Sequence, residues 1–158
     1  MPKKSAPGAG RTCRFCGIIA GTEPGFVVFR DELSVAFLDY RPLALGHVLL
    51  VPAVHYATLE ALPDEAAAAL ATRIKQLSAA VITAMQADGS FVALNNRISQ
   101  SVPHVHFHIV PRKKGDGLFA HRMIWKRVAY RDDAHRAETA NRIRDALQTN
   151  FNPPQGQR

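Results

Sequence analysis

The chain has 158 residues, of which 47% are hydrophobic and 21% are charged. These values are typical of a globular protein built around one hydrophobic core, so disordered and fibrous classes are excluded. No apolar run approaches the roughly 18 residues that crossing a bilayer requires, so we expect no membrane-spanning helix. The basic residues near the start are not followed by an apolar stretch, which argues against a secretory signal and favours a cytoplasmic protein.

The formal net charge of +7 lies at the two ends of the chain. Residues 1–14 carry +4, residues 15–110 carry −3 and residues 111–158 carry +6. A strongly basic chain would suggest a nucleic-acid partner, but the body of this chain is mildly acidic. Two interpretations stay open, namely solvated basic ends and a positive rim around a phosphate site.

Cys13 and Cys16 are the only cysteines and form a C-x-x-C pair. Such a pair outside the secretory route is half of a metal site, a redox motif or a coincidence. A thioredoxin-type redox motif lies between a strand and a helix, whereas this pair follows residues 1–12, which are rich in Pro, Gly and Lys. The sequence therefore favours half of a zinc site, provided that two further ligands lie elsewhere in the chain.

Apolar periodicity predicts five strands and two helices between two disordered tails at residues 1–12 and 151–158. The strands are expected at Phe26–Arg30, Ser34–Leu38, Gly46–Val51, Phe91–Leu94 and Val105–Val110. The longer helix, Asp64–Ala87, has start signals at Pro63 and Asp64 and a stop signal at Gly89. The final helix spans Asp132–Gln148, capped by Asp132 or Asp133. Strand runs separated by one helix favour a single α+β domain over residues 13–150 with an antiparallel sheet.

Three histidines occupy every second position of the last predicted strand, and apolar residues fill the positions between them. Side chains alternate between the faces of a strand, so His104, His106 and His108 share one face at spacings of about 6.6 Å. A row of titratable rings has no packing advantage over Thr or Val. The outer two rings are about 13 Å apart, which argues against one metal bound by all three. The three rings are therefore expected to do different jobs.

The segment His104–Val110, which reads H-V-H-F-H-I-V, resembles the histidine triad motif of the HIT family. Gln100-Ser101-Val102 resembles the family's lead-in to that motif, and Gly46–His55 resembles its strand with a G-H start and a P-x-x-H end. Phe37-Leu38-Asp39 resembles its ribose-binding turn. The resemblance runs from about Cys13 to Arg112. It implies an α+β HIT-like fold with a five-stranded antiparallel sheet, one long central helix and a C-terminal helix, assembled as a homodimer.

The resemblance also implies a nucleotide-binding hydrolase or transferase that acts at an α-phosphorus. By this resemblance, His106 would be the nucleophile and His108 would contact the phosphate. Ser101 would donate a hydrogen bond to the leaving group, and His47 would support the catalytic histidines. Hydrolysis of nucleoside phosphoramidates or related nucleotidyl compounds, with purines favoured, is the expected activity. One alternative is a dinucleoside polyphosphate hydrolase, with Arg112-Lys113-Lys114 serving the extra phosphates. Others are a nucleic-acid-associated zinc protein such as a DNA deadenylase, and a nucleotide-binding regulator without turnover.

Substrate-binding and metal-binding residues follow from the same resemblance. Asp39 would accept the ribose hydroxyls, and Asn95 and Gln100 would lie beside the phosphate or ribose. The base would be sandwiched by Phe15, Ile18, Phe37 and Tyr40, unless these four are plain core. A structural zinc ion would be bound by Cys13, Cys16, His55 and His104, since two sulfurs and two nitrogens suit Zn²⁺.

Two parts of the chain depart from these expectations or lie beyond them. The loop Arg97-Ile98-Ser99 is shorter than in the family and lacks glycine. That departure leaves open the role of Asn95 and the preferred leaving group. The sequence assigns no role to Arg122–Tyr130, which contains the only tryptophan, Trp125.

Overall fold

The computed structural model of the protein describes residues 13–119 and 127–151. The predicted tail at residues 1–12 lies outside the described residues, as does the predicted tail at 151–158 apart from Phe151. Most of Arg122–Tyr130, including Trp125, is also outside them. Among the helices that are described, none combines the length and the apolar character that a bilayer span requires.

The sheet contains five strands in the order β1-β2-β3-β5-β4, and every neighbouring pair is antiparallel. The strands are β1 Val27–Arg30, β2 Ser34–Leu38, β3 Val48–Pro52, β4 Gly89–Ala93 and β5 Phe107–Arg112. Each predicted strand is present, and its ends lie within two residues of the expected ones. The α+β architecture expected from the sequence is therefore confirmed, with β1 and β4 at the two edges of the sheet.

The two predicted helices are α2, Asp64–Met85, and α3, Asp133–Phe151. Helix α2 begins where predicted, but the prediction that Gly89 ends it is wrong. Gln86 ends the helix in the left-handed conformation, with φ 50° and ψ 45°, and Gly89 instead begins β4. At the start of α3, the Asp132 carboxylate accepts a hydrogen bond of 2.7 Å from the His135 amide, which is the predicted cap. Helix α3 extends beyond the predicted Gln148.

Two short helical elements are absent from the prediction. Helix α1 covers Arg14–Ala20, and a 3₁₀ turn covers Leu59–Ala61. Cys13 caps α1, since its sulfur accepts from the Cys16 amide at 3.5 Å, and Gly21 ends it with φ 75°. Helix α1 has seven residues, too few for a periodic apolar pattern to be recognised.

Both faces of the sheet are covered, which explains why every residue of β2 and β3 is buried. One face packs against α2 and α3 and includes Ala36, Leu38, Val48, Leu50 and Ile109. The other face packs against α1 and includes Val35, Phe37, Leu49, Val51, Phe15 and Ile18. Successive residues of β2 and β3 alternate between these two clusters, as the two-residue period of a strand requires. The second face, which carries α1, is where the histidine row lies.

Candidate active site

The three histidines of the row straddle the start of β5. His108 lies within the strand, paired with Leu49 of β3, whereas His104 and His106 precede it. The predicted start of this strand at Val105 is therefore wrong by two residues, because the Val105 amide bonds to the Tyr56 carbonyl at 2.7 Å and not to a neighbouring strand. Val105 nevertheless packs into the core beneath α2, so the alternation of apolar and histidine side chains is confirmed.

His106 presents one ring nitrogen for chemistry. Its Nδ1–H donates to the His104 carbonyl at 2.7 Å, so in the neutral ring Nε2 carries no proton and its lone pair is free. The ring is 3% exposed and contacts the Phe15 ring edge-on, with 5.1 Å between centroids. Burial lowers the pKa of His106, so the imidazole is neutral near pH 7. A neutral imidazole with a free nitrogen lone pair is a competent nucleophile.

A chain of hydrogen bonds fixes the tautomers of the two neighbouring histidines. The Leu43 amide donates to His47 Nδ1 at 3.1 Å, so His47 carries its proton on Nε2. That Nε2–H donates to His108 Nδ1 at 3.0 Å, and His108 in turn must carry its proton on Nε2. His108 Nε2 is buried and has no hydrogen-bond partner among the described residues. An unpaired buried donor is costly, so this N–H is a strong candidate to bind an acceptor atom of a ligand.

Burial also holds these two rings neutral. It is the largest cause that lowers the pKa of His47 to about 3 and that of His108 to about 4. The negative charge of Asp39 opposes both shifts but does not overcome them. The donor and acceptor assignment along the chain therefore holds at neutral pH, where neither ring carries a charge.

Asp39 lies just after β2 and is partly buried. One carboxylate oxygen accepts from the Arg41 amide at 2.8 Å. The other lies 3.3 Å from Arg127 Nη1 and 3.6 Å from His47 Nδ1. Arg127 also donates to the Arg41 carbonyl. The predicted ribose ligand is thus next to the histidines and carries a salt bridge that the sequence did not indicate.

The segment that supplies Arg127 is held against the loop between β2 and β3. The Val128 amide donates to the Pro42 carbonyl at 2.8 Å, and the Gly46 amide donates to the Tyr130 hydroxyl at 2.9 Å. Arg127 is 88 residues away from Asp39 along the chain, so no local spacing could have revealed the pair.

The four residues predicted to surround a base do not form one group. Phe15, Ile18 and Phe37 lie together in the cluster beneath α1, and each is at most 6% exposed, so packing accounts for most of their surface. Tyr40 is 61% exposed and lies outside that cluster. Its ring is approached by two guanidinium groups, Arg14 at 5.0 Å and Arg136 at 5.2 Å.

The loop between β4 and the histidine row is held by side-chain amides. Gln100 accepts from the Arg97 amide at 2.8 Å and donates to the Ala57 carbonyl at 2.7 Å. Arg97 and Ser99 both adopt positive φ, 68° and 59°, a conformation that glycine adopts more easily. This loop without glycine therefore uses left-handed residues at two positions and is held in place by Gln100.

Three further polar residues complete this loop. Asn96, which the sequence did not single out, accepts from the Leu59 amide at 2.9 Å and donates to Glu60 at 2.9 Å. The predicted residues Asn95 and Ser101 are exposed, at the two ends of the loop.

Cys13, Cys16, His55 and His104 form a second group close to the histidine row, and their ligand atoms lie within 4.8 Å of one another. The sulfur of Cys16 is 3.3 Å from His55 Nδ1 and 3.6 Å from His104 Nδ1, and the sulfur of Cys13 is 3.5 Å from His104 Nδ1. Tetrahedral zinc with ordinary bond lengths gives sulfur-to-nitrogen separations of about 3.6 Å. The four residues therefore fit a Zn²⁺ ion.

The surroundings of this group also suit a metal. The outward nitrogen of His104, Nε2, lies 3.0 Å from the Pro52 carbonyl, the kind of outer contact that orients a metal-bound imidazole. Burial, aided by the adjacent Cys13, raises the pKa of Cys16 to about 11 when no cation is present. Because a thiolate pair needs a compensating positive charge, a divalent cation is the natural complement of the site.

Comparison with known proteins gives one family. The family model described as HIT domain matches residues 20–115. The chain is 37% identical over 110 residues to the adenylylsulfatase HINT3 of Arabidopsis thaliana, covering 68% of this chain and 56% of that protein, so it spans little more than half the plant relative. It is 39% identical over 114 residues to the adenosine 5′-monophosphoramidase HNT1 of Saccharomyces cerevisiae, covering 70% of each.

Solved structures agree with these matches. A zinc-bound histidine triad family protein from Mycobacterium smegmatis has a TM-score of 0.75 at 30% identity, covering 87% of this chain and 94% of the other. A member of the HIT family from Bacillus subtilis has a TM-score of 0.65 at 29% identity, covering 89% and 98%.

Proposed function

Because this chain belongs to the HIT domain family, we propose that it is a nucleotide hydrolase that cleaves nucleoside phosphoramidates or related nucleotidyl compounds at the α-phosphorus. The names of two relatives, an adenylylsulfatase and an adenosine 5′-monophosphoramidase, support this class of reaction. The proposed substrates are small nucleotides, with purines favoured.

The observation that carries the proposal is the pairing of His106 with His108. The two rings lie 5.0 Å apart between centroids, one with a free nitrogen lone pair and the other with a buried, unpaired N–H. Transfer of a phosphoryl group needs both a nucleophile that attacks the phosphorus and a hydrogen-bond donor that stabilises the negative charge on its oxygens. A phosphate oxygen would also give the buried, unpaired N–H of His108 an acceptor.

The proposed reaction has two displacements. In the first, His106 Nε2 attacks the α-phosphorus while the bond to the leaving group breaks, Ser101 donates a hydrogen bond to the departing atom, and a departing amine takes up a proton from solvent. The His104 carbonyl holds the proton on His106 Nδ1 as the ring becomes positively charged. In the second, water attacks the phosphorus and gives one proton to solvent, the bond to His106 breaks, and the nucleoside monophosphate leaves with the ring restored.

The remaining predicted residues have supporting roles in this proposal. Asp39 would accept hydrogen bonds from the ribose hydroxyls, and its position 3.6 Å from His47 supports a ribose next to the reacting phosphate. Asn95 and Gln100 would border the phosphate, and Phe15, Ile18, Phe37 and Tyr40 would border the base. Of these, Gln100 is engaged in shaping its own loop, so its contribution would be to hold the wall of the site.

A structural zinc ion bound by Cys13, Cys16, His55 and His104 completes the proposal, supported by the sulfur-to-nitrogen distances and by the zinc-bound neighbour. Zinc would tie α1 to the segment before β5 and supply no atom to the reaction. We further propose a cytoplasmic homodimer. The position of β4 at an edge of the sheet, where Val92 is 39% exposed, supports the homodimer.

The alternative of a dinucleoside polyphosphate hydrolase receives less support. It would use the cations of Arg112-Lys113-Lys114, but Arg112 forms a bidentate salt bridge with Asp116. Its Nε and Nη2 donate to the two carboxylate oxygens at 2.5 and 2.6 Å. That pairing neutralises the one of these three cations that lies within β5.

The proposal is tested by replacing His106→Asn and Asp39→Ala in parallel. His106→Asn removes the nucleophile, so single-turnover cleavage of adenosine phosphoramidate should fall by far more than about tenfold while nucleotide binding survives. Asp39→Ala should instead weaken binding. Mass spectrometry of the wild-type protein should detect a nucleotidyl adduct on the peptide that contains residues 98–112. Near-normal turnover of His106→Asn on every nucleotidyl substrate would refute the mechanism.

A further inference from the structure

The segment of residues 127–130 is bonded to the loop between β2 and β3 at three points. These contacts are made by the Arg127 guanidinium, the Val128 amide and the Tyr130 hydroxyl. The segment lies beyond residues 20–115, which the HIT family model matches. The match with the family therefore does not account for these contacts, and their effect on the proposed site has to be found from the geometry.

The loop that this segment holds carries one residue of the proposed site at each end. Asp39 follows β2 and His47 precedes β3. The Asp39 amide donates to the His47 carbonyl at 2.9 Å, so the backbone at the two ends of the loop is joined. That bond does not fix the Asp39 carboxylate, because the side chain can still rotate about its own torsions. The contacts of the carboxylate itself therefore decide where its oxygens lie.

Each carboxylate oxygen of Asp39 accepts one hydrogen bond from the protein. Oδ1 accepts from the Arg41 amide at 2.8 Å, and Oδ2 accepts from Arg127 Nη1 at 3.3 Å. His47 Nδ1 is 3.6 Å from Oδ2, but it accepts from the Leu43 amide and has no proton to donate. An ionised carboxylate has about four lone-pair sites, so each oxygen keeps about one for a further donor. The two vicinal hydroxyls of a ribose would supply these two donors.

The contact of Arg127 with Asp39 has a larger effect on position than on stability. The Arg127 side chain is 45% exposed and that of Asp39 is 13% exposed, and ion pairs with an exposed partner contribute little to folding. The same Nη1 also donates to the Arg41 carbonyl, so the guanidinium is held by two acceptors of one loop. Without Arg127, Oδ2 would have no donor among the described residues and the carboxylate would be held at one oxygen only.

We infer that Arg127 is a positioning residue for ribose recognition, which fixes the Asp39 carboxylate with one acceptor site left on each oxygen for the vicinal hydroxyls. The inference rests on the proposed function, in which Asp39 binds the ribose. Loss of Arg127 should therefore lower the preference for a nucleotide with both ribose hydroxyls over one with neither. A cation that acted directly on the phosphate would instead change the affinity for both nucleotides equally.

The probes are adenosine 5′-monophosphate, the expected product, and its 2′,3′-dideoxy analogue, which lacks both hydroxyls. Neither has a leaving group on its phosphorus, so calorimetry measures both dissociation constants at equilibrium. The ratio of the two constants reports the hydroxyl contacts, because effects on the phosphate and the base are common to both probes. We expect the wild type to bind the monophosphate at least roughly tenfold more tightly, since hydrogen bonds to a charged acceptor are strong.

The variants are Arg127→Gln and Arg127→Lys, and the matched control is Arg131→Gln. Arg131 is exposed close by along the chain, and its hydrogen bond to His135 is made by its backbone amide and not by its side chain. Arg127→Gln should lower the ratio by about threefold or more, and Arg131→Gln by less than about twofold. Arg127→Lys should lower it less than Gln does, because an ammonium group keeps the charge and the N–H donors.

A double-mutant cycle shows whether Arg127 acts through Asp39. In the Asp39→Ala background, Arg127→Gln should leave the ratio within about twofold, because the carboxylate that it positions is gone. The inference is overturned if Arg127→Gln and Arg131→Gln change the ratio alike, or if Arg127→Gln lowers it equally with and without Asp39.

The readout is binding, so it separates this inference from the proposed reaction. A wild-type ratio close to one would overturn the inference together with the ribose role of Asp39. A large wild-type ratio that Arg127→Gln leaves unchanged would overturn the inference alone. Absence of cleavage in a protein whose ratios behave as expected would contradict the proposed hydrolysis and still support the role of Arg127.

Discussion

The hydrogen-bond chain through His47 makes a sharp prediction about His108. His47 is fully buried, donates to His108 Nδ1 at 3.0 Å and accepts from the Leu43 amide at 3.1 Å. His47→Leu removes both interactions at nearly constant volume. Without a donor at Nδ1, the His108 proton can move to that nitrogen, and Nε2 then no longer offers an N–H to the phosphate.

The expected size of the effect follows from these contacts. Loss of one donor to a developing oxyanion lowers kcat by about 10²–10³-fold, and KM should change much less. The Leu43 amide and His108 Nδ1 would also be left unpaired in the interior, which costs about 1–3 kcal/mol of unfolding free energy for each group. His47→Gln is the matched control, because its amide can donate to His108 and accept from Leu43.

The assay is single-turnover cleavage of adenosine phosphoramidate by the wild type and both variants, with thermal unfolding measured alongside. Nitrogen-15 NMR of the His108 ring reports its tautomer directly. We expect His47→Leu to shift the tautomer and lose most of the rate, and His47→Gln to recover much of both. If His47→Leu keeps the rate within about threefold, or if Gln recovers no more than Leu, the role assigned to His47 is wrong.

Three further predictions concern metal, pH and assembly. Purified protein should contain about one zinc per chain, and Cys16→Ser should lower stability more than turnover per folded molecule; metal analysis that finds none would remove the site. The pKa of His47 is lowered from 6.5 to about 3, so the unfolded chain binds a proton that the folded chain does not, and acid is destabilising below about pH 6.5. The unfolding free energy should therefore fall by about 1.2 kcal/mol between pH 6 and 5 on account of this ring, and chemical denaturation of His47→Gln should lack that part of the slope. Sedimentation at micromolar concentration should give a dimer, and a species of only 17.3 kDa would contradict it.

The sequence predicted those features that repeat at a regular spacing. The five strands and α2 follow from apolar periodicity, and the two-residue alternation around His106 correctly placed Val105, Phe107 and Ile109 in the core. His55, which follows β3, and His104, which precedes β5, lie beside Cys13 and Cys16, as the resemblance implied. What the sequence did not reveal depends on contacts between distant segments. The Arg127 salt bridge to Asp39 and the hold of Gln100 on its loop are of this kind, and neither has a local pattern.

The seven-residue length of α1 has a consequence for motion. Isolated helices shorter than about 12–15 residues are marginal in water, so α1 has little intrinsic stability and persists through its cap at Cys13 and the packing of Phe15 and Ile18. A local opening of this segment would separate both sulfurs from His104 and remove the Phe15 ring from His106 in the same event. Retention of the proposed zinc ion and order around the proposed nucleophile, His106, would then depend on the same opening equilibrium, so exchange of the α1 amide hydrogens would report on both.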